Sequence, residues 1–205
     1  MKFPLTGLYA ITQTEGKSCQ QVIDEVTLAI KGGAVVIQYR DKNPIDAIYL
    51  SSELLKICHA QQVPLLINDD VELALKIGAD GVHLGKEDGA IQHARQRLGD
   101  EAIIGVSCYN DVELALSAEQ EGVDYVAFGR FFPSSSKPLA APAELETLQQ
   151  AKLQIKVPIV AIGGILPENG GQLLNAGADL LAVIGGVFSE NVRASAKAYQ
   201  TLFLN

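Results

Sequence analysis

The spacing of glycines constrains the fold of this chain more than any other feature. Gly33, Gly78 and Gly122 stand in "GGA", "GAD" and "GVD" at intervals of 45 and 44 residues, and Gly177 follows in another "GAD" after a longer interval of 55. Each closes a stretch of helical period and precedes a short apolar run, which is where a residue free to take positive φ ends a helix. The hexapeptide "DVELAL" makes the repetition literal, running from Asp70 to Leu75 and again from Asp111 to Leu116, each time just after an apolar run.

The apolar runs are "LYAIT", "AVVIQY", "PLLIN", "GVHLG", "AIIGVS", "YVAFG", "PIVAIGG" and "LLAVIGG". Their near-continuous apolarity suits strands covered on both faces. Helix candidates lie between them. In "CQQVIDEVTLAIK" the stripe is Val22, Val26, Ala29 and Ile30, and in "AIYLSSELLKICHA" it is Leu50, Leu54 and Ile57. Strand and helix in alternation specify a parallel sheet with right-handed crossovers. Each glycine interval spans the length of two βα units, and four such double units, each closed by one of the four glycines, predict eight strands and a single (β/α)8 TIM barrel over residues 1–205. The longer last interval places one enlarged loop at "RFFPSSSKPLAAPA". An open doubly wound sheet is the rival, but it calls for a G-x-G-x-x-G turn after the first strand, and "LYAITQTEGKS" has none.

With 205 residues, 48% of them hydrophobic, the chain is long enough for one well-buried core. A formal net charge of −8 argues against a general nucleic-acid or membrane surface, so any cationic site must be local. Cys19, Cys58 and Cys108 have neither disulfide nor zinc spacing and fit a reducing cytoplasm. No apolar run approaches the span of a membrane helix. Nothing in the pattern specifies an oligomeric state.

Barrels place chemistry on the C-terminal ends of their strands. Here strand starts read Gly, Ala, Val and Pro, whereas strand ends carry Gln38, Arg40 and Lys42, then Asn68 and Asp69, then Asp88, Ser107 and the segment from Ser134 to Lys137. In "QYRDK" a period of two sets Gln38, Arg40 and Lys42 on one side, with Tyr39 and Asp41 on the other parity of the same substrate-facing strand end. Two cations at a barrel mouth call for an anion, the planar Arg fork and the Lys point charge both suiting phosphate. A rim network with Asp41 is the alternative.

The repeat separates two kinds of carboxylate. Asp70 aligns with Asp111 and both suit helix N-caps, whereas Asp69 aligns with Asn110 and needs another explanation. Asp69 and Asp88, on adjacent loops near Arg40 and Lys42, make a natural Mg2+ site, because magnesium takes few protein oxygens and fills its shell with water and phosphate. Asp88 also suits a cap for "GAIQHARQRL". His83 reads as a packed, hydrogen-bonded strand residue, and His59 and His93 as exposed helical ones. A second anion site is expected where Ser134, Ser135, Ser136 and Lys137 meet Gly163 and Gly164 after the seventh strand and Ile184 and Gly185 after the eighth. A tight turn at Gly163 and Gly164 is the bland alternative. Two anion sites without a nucleophile triad or nucleotide loop point to group transfer between two phosphorylated small molecules.

The ordered set "QYRDK", "NDD", "GVHLGKED", "GVS", "YVAFGRFFPSSSKP" and "VAIGGI" resembles the thiamine phosphate synthase family over nearly the whole chain. The resemblance implies that a pyrimidine methyl diphosphate ionises with loss of pyrophosphate and that the nitrogen of a thiazole phosphate captures the cation. It assigns Gln38, Arg40, Lys42, Asn68 and Lys137 to the pyrophosphate or pyrimidine, Asp69 and Asp88 to Mg2+, Ser107 to the pyrimidine, and Ser134 to Ser136 with Gly164 to the thiazole phosphate. Serines stand where that family commonly has threonines, and Lys86, Tyr109 and Gly185 stand where Gln, His and Ser are common. Two other activities stay open: a thiazole tautomerase of the same fold, and a phosphate-ligand sensor without catalysis.

Overall fold

In a computed structural model, which describes residues 1–85, 90–133 and 141–204, eight parallel strands close on themselves in chain order. The strands are β1 (Gly7–Ile11), β2 (Ala34–Tyr39), β3 (Leu65–Asn68), β4 (Gly81–Leu84), β5 (Ile103–Tyr109), β6 (Tyr125–Phe128), β7 (Ile159–Ile162) and β8 (Leu180–Val183). A helix follows each: α1 (Cys19–Lys31), α2 (Ala47–Ala60), α3 (Val71–Ile77), α4 (Ala90–Leu98), α5 (Val112–Gln120), α6 (Leu145–Gln154), α7 (Pro167–Asn175) and α8 (Val192–Thr201). This is the (β/α)8 barrel that the repeat predicts.

Local chemistry sets the boundaries. Ser18 and Gln21 form a reciprocal capping box at the start of α1, with Ser18 Oγ accepting from Gln21 N at 3.3 Å and Gln21 Oε1 accepting from Ser18 N at 2.8 Å. Asp70 and Asp111 cap α3 and α5 by accepting from Leu73 N and Leu114 N, as their alignment in the repeat implies. The four rhythm glycines all adopt positive φ, from 71° at Gly78 to 119° at Gly177. In α1 the buried stripe is Val22, Val26 and Ala29, with Ile30 of the expected stripe only half-buried. In α2 it is Leu50, Leu54 and Cys58, with Ile57 only half-buried, because the contact face follows i, i+4, i+8 and passes Ile57 by.

Two apolar layers share the strands. Residues of one parity, including Tyr9, Ile11, Val36, Leu66, Ile103, Tyr125, Val160 and Leu180, fill the lumen. The opposite parity packs outward against the helices, as Leu8, Ile37, Leu65, Val126 and Leu181 do. At the N-terminal end of the barrel the Asp of "GAD", "GVD" and "GAD" forms one recurring latch: Asp80, Asp124 and Asp179 accept from Leu65 N, Ile104 N and Ile159 N. Each also meets a basic group, His59 for Asp80, Arg95 for Asp124 and Lys152 for Asp179. No helix among the described residues is long and apolar enough to cross a membrane.

Candidate active site

Inward parity carries the site from the strands themselves. Register pairs Ile11 with Gln38, Gln38 with Leu66, Asn68 with His83, and Ser107 with Ala127, so the polar members fall at the C-terminal end of the lumen above its apolar filling. There they border a cavity of 530 Å³, a volume suited to a small phosphorylated ligand. Gln38, Arg40, Asn68, Asp69, Ser107, Gly163, Gly164, Ile184 and Gly185, each singled out in the sequence, line it.

The polar row of "QYRDK" divides. β2 ends at Tyr39. Gln38 points into the lumen, 2% exposed, and its amide donates to the Tyr9 hydroxyl at 2.7 Å. Arg40 sits just past the strand, its backbone N–H donating to Thr12 Oγ1 at 2.9 Å and its carbonyl accepting from the same hydroxyl at 3.1 Å. Its side chain borders both the main cavity and a second one of 690 Å³ between the β1–α1 and β2–α2 loops. Lys42 lines only this second cavity, together with Tyr39 and Asp41. The reason is geometric: once the chain leaves β2, strand parity no longer governs direction, and Lys42 follows the loop toward α2 rather than the lumen. Tyr39 packs on the helix side of the wall with its hydroxyl buried, and burial, with Asp41 and Asp46 nearby, pushes its pKa up.

Asp69 adopts φ 62°, which turns its carboxylate toward the cavity. Its oxygens accept from Gly85 N at 3.1 Å and from Asn68 Nδ2 at 2.7 Å, both neutral donors. Among the described residues it forms no ion pair, so its negative charge is available. An exposed hard oxygen donor with spare lone pairs fits the Mg2+ that the family resemblance implies. Among the described residues no cluster of three or more His, Cys, Asp or Glu is arranged for a metal. Asp88, Ser134, Ser135, Ser136, Lys137 and the departing position Lys86 lie outside the described residues.

The glycines after β7 have a packing explanation of their own. At Gly163, with φ 107°, a Cβ would lie 2.2 Å from Arg130 Cβ, and at Gly164, with φ 61°, one would lie 2.4 Å from the Pro133 carbonyl oxygen. Phe131 N and Phe132 N donate to Ile162 O and Gly163 O, so the β6–α6 and β7–α7 loops are zipped together, and only glycine fits between them. Behind them the Tyr199 hydroxyl donates to Ile165 O at 2.9 Å, and burial pushes that phenol up to about 12. Gly185 is open on its Cβ side, its nearest neighbour being Gln13 at 4.0 Å.

Residue-by-residue reading passed over Tyr9, Tyr125 and Arg130. His83, expected to be packed and hydrogen-bonded, is so: Nδ1 lies 2.8 Å from the Tyr125 hydroxyl and Nε2 lies 3.0 Å from Ser107 Oγ. It also borders the cavity. Its signal was a polar ring inside an otherwise apolar strand, and the same signal marks Tyr9 and Tyr125. Arg130 lines the cavity beside Gly163, and its sequence signal was a lone cation directly after "YVAFG". His59 and His93 are exposed on helices, as expected.

Residues 8–187 match the family model described as thiamine monophosphate synthase. A thiamine-phosphate synthase of Nitrosococcus oceani is 52% identical over 99% of this chain and 95% of its own length, and one of Methylococcus capsulatus is 47% identical over 99% and 92%. The solved structure of a thiamine phosphate pyrophosphorylase from Pyrococcus furiosus superposes with a TM-score of 0.86 at 35% identity, covering 96% of this chain and 94% of that one. Matched this closely and over this length, this chain, a parallel barrel with a polar cavity at its C-terminal rim, belongs to the thiamine monophosphate synthase family.

Proposed function

We propose that the chain, as one catalytic barrel domain, is a thiamine-phosphate synthase. It joins 4-amino-2-methyl-5-(diphosphooxymethyl)pyrimidine to thiazole phosphate, giving thiamine phosphate and pyrophosphate. The observation that carries this reading is the open charge at one rim. Arg40 stands between the two cavities, Lys42 lies in the second, and Asp69 faces the first without a cation among the described residues. Charge left open in a concave site is the ordinary mark of a ligand of opposite charge.

The pyrimidine ring occupies the lumen side of the cavity, against Gln38, Asn68 and Ser107. Its methylene–oxygen bond breaks with both electrons leaving on the diphosphate oxygen. The thiazole nitrogen lone pair then forms the new carbon–nitrogen bond, and no proton need be gained or lost. Arg40 grips diphosphate oxygens with its planar fork, and Lys42 meets the charge that grows as diphosphate moves toward the second cavity. Asp69, with Asp88, would hold Mg2+, which would neutralise charge on the diphosphate. Gly163, Gly164, Ile184 and Gly185, with Ser134, Ser135 and Ser136, take the thiazole phosphate, and Lys137 serves the diphosphate. Tyr39 and Asp41 form the wall of the second cavity. Free thiols at Cys58 and Cys108, both buried, suit a reducing compartment such as the cytoplasm.

The test mixes both phosphorylated substrates with Mg2+ and follows thiamine phosphate and pyrophosphate together. Equimolar formation of the two is the expected result. Isomerisation of thiazole phosphate without pyrophosphate would indicate a tautomerase, and binding without turnover a sensor. Either outcome would overturn the assignment.

A further inference from the structure

Five polar side chains cross the lumen beneath the cavity in one connected line. Gln38 Nε2 donates to the Tyr9 hydroxyl at 2.7 Å, and the Tyr9 and Tyr125 hydroxyls are 2.9 Å apart. The Tyr125 hydroxyl lies 2.8 Å from His83 Nδ1, and His83 Nε2 lies 3.0 Å from Ser107 Oγ.

The direction of the line follows from one end. An amide nitrogen only donates, so Tyr9 accepts there. Tyr9 is 1% exposed, and its other hydroxyl neighbour among the described residues is Tyr125, which therefore receives the Tyr9 proton. Tyr125, having accepted, passes its own proton to His83 Nδ1. A neutral imidazole that accepts at Nδ1 carries its proton on Nε2 and donates to Ser107 Oγ. The Ser107 hydroxyl proton is then turned away from His83, into the cavity that Ser107 lines.

The Tyr125 ring is fixed independently of these bonds. A Cβ at Gly105 would lie 2.0 Å from its hydroxyl-bearing carbon, so the ring fills the space that glycine leaves on β5. Phe3 stacks on the same ring with centroids 4.0 Å apart. Burial pushes both tyrosines up, which keeps them as protonated links.

We propose that Tyr9, Tyr125 and His83 are positioning residues whose one-way line of hydrogen bonds holds His83 as the Nε2–H tautomer and Ser107 as a donor into the cavity. What Ser107 donates to rests on the reading of the reaction above. A bond to a ring nitrogen would withdraw electrons from the pyrimidine that must carry positive charge. The bridging diphosphate oxygen is therefore the recipient, since that bond strengthens as the oxygen departs.

Nitrogen-15 NMR of the full chain with labelled histidine reads the tautomer directly at a pH where His83 is neutral. The expected result is a protonated Nε2 and a bare Nδ1, with that preference lost in Tyr125→Phe. In the same variant kcat falls by about tenfold, one hydrogen bond's effect, while KM for the pyrimidine diphosphate holds within about twofold. In a Ser107→Ala background Tyr125→Phe has no further effect on kcat, because its influence runs through Ser107. Tyr9→Phe supplies a second break in the line should Tyr125→Phe fold poorly. A wild-type Nδ1–H tautomer would overturn the proposal. An unchanged tautomer in the folded variants, or the full loss repeated without Ser107, would do the same. The tautomer is read without turnover, so its failure is distinct from a failure to make thiamine phosphate.

Discussion

The two ends of the barrel treat charge in opposite ways. At the N-terminal end Asp124 accepts from Ile104 N at 2.8 Å and meets Arg95, whose guanidinium also donates to the carbonyls of Gly99, Asp100, Ala102 and Gly122. Asp179 pairs with Lys152 at 2.5 Å, and Asp80 meets both His59 and the amino group of Met1. Acid and base are matched there, and both are tied to strand backbone. At the C-terminal end Asp69 meets only amide donors, and neither Arg40 nor Lys42 forms an ion pair among the described residues. Matched charge clamps the strands, whereas the open charge lies where we propose that the ligand binds. The same fold thus separates stability from chemistry along its axis.

The sharpest way to break this contrast is Asp69→Asn. Asn tolerates the left-handed backbone at φ 62° and keeps an acceptor for Gly85 N, so the variant removes the charge and the single exposed bond from Asn68 Nδ2. Turnover should fall by about a hundredfold or more with melting temperature nearly unchanged. Equal activity in the variant, measured by pyrophosphate release, would remove Asp69 from the chemistry. Gly105→Ala stands between the two ends, because its methyl group would press on Tyr125 under the site floor. A stability loss of about 1–3 kcal/mol accompanied by slower turnover is expected from calorimetry and kinetics on one preparation. Asp124→Ala should do the reverse of Asp69→Asn. It strands Ile104 N and the Arg95 charge, for a loss of about 2 kcal/mol and a drop in Tm of about 4–8 °C, with kcat intact. A change in kcat without a change in Tm would undo the division between the ends.

The smallest effect concerns the outer core. Burial pushes the Cys58 and Cys108 thiols up to about 12 from an ordinary 9.0. A raised folded-state value means that their contribution to stability is complete below pH 9.0. It is lost as pH rises toward 12, where the unfolded chain ionises first. Thiol titration at neutral pH should find Cys58 and Cys108 unreactive in the native chain and all three cysteines reactive in denaturant.

Much of the fold was legible because its signals are local. Helix-closing glycines take positive φ, the aspartates of "DVELAL" cap their own helices, and apolar runs become strands, all within a few residues of sequence. The site was legible where strand parity still held, at Gln38, Asn68 and Ser107. It faded at Lys42, where the chain leaves β2 and a loop sets direction. The partners of His83 were hidden for a different reason: Tyr125 lies 42 residues away and Ser107 lies 24 away, and only closure of the barrel brings them within hydrogen-bond reach.

The sequence by itself determined the eightfold alternation, the caps and the gathering of polar residues at strand ends, because each depends on backbone propensity over one or two turns. Tertiary structure alone decided which of those residues share a cavity, that Gly105 makes room for Tyr125, and that Gly163 and Gly164 serve the seam between two loops. Those outcomes depend on register and close approach around a closed sheet, and no stretch of chain carries that information until its neighbours are in place.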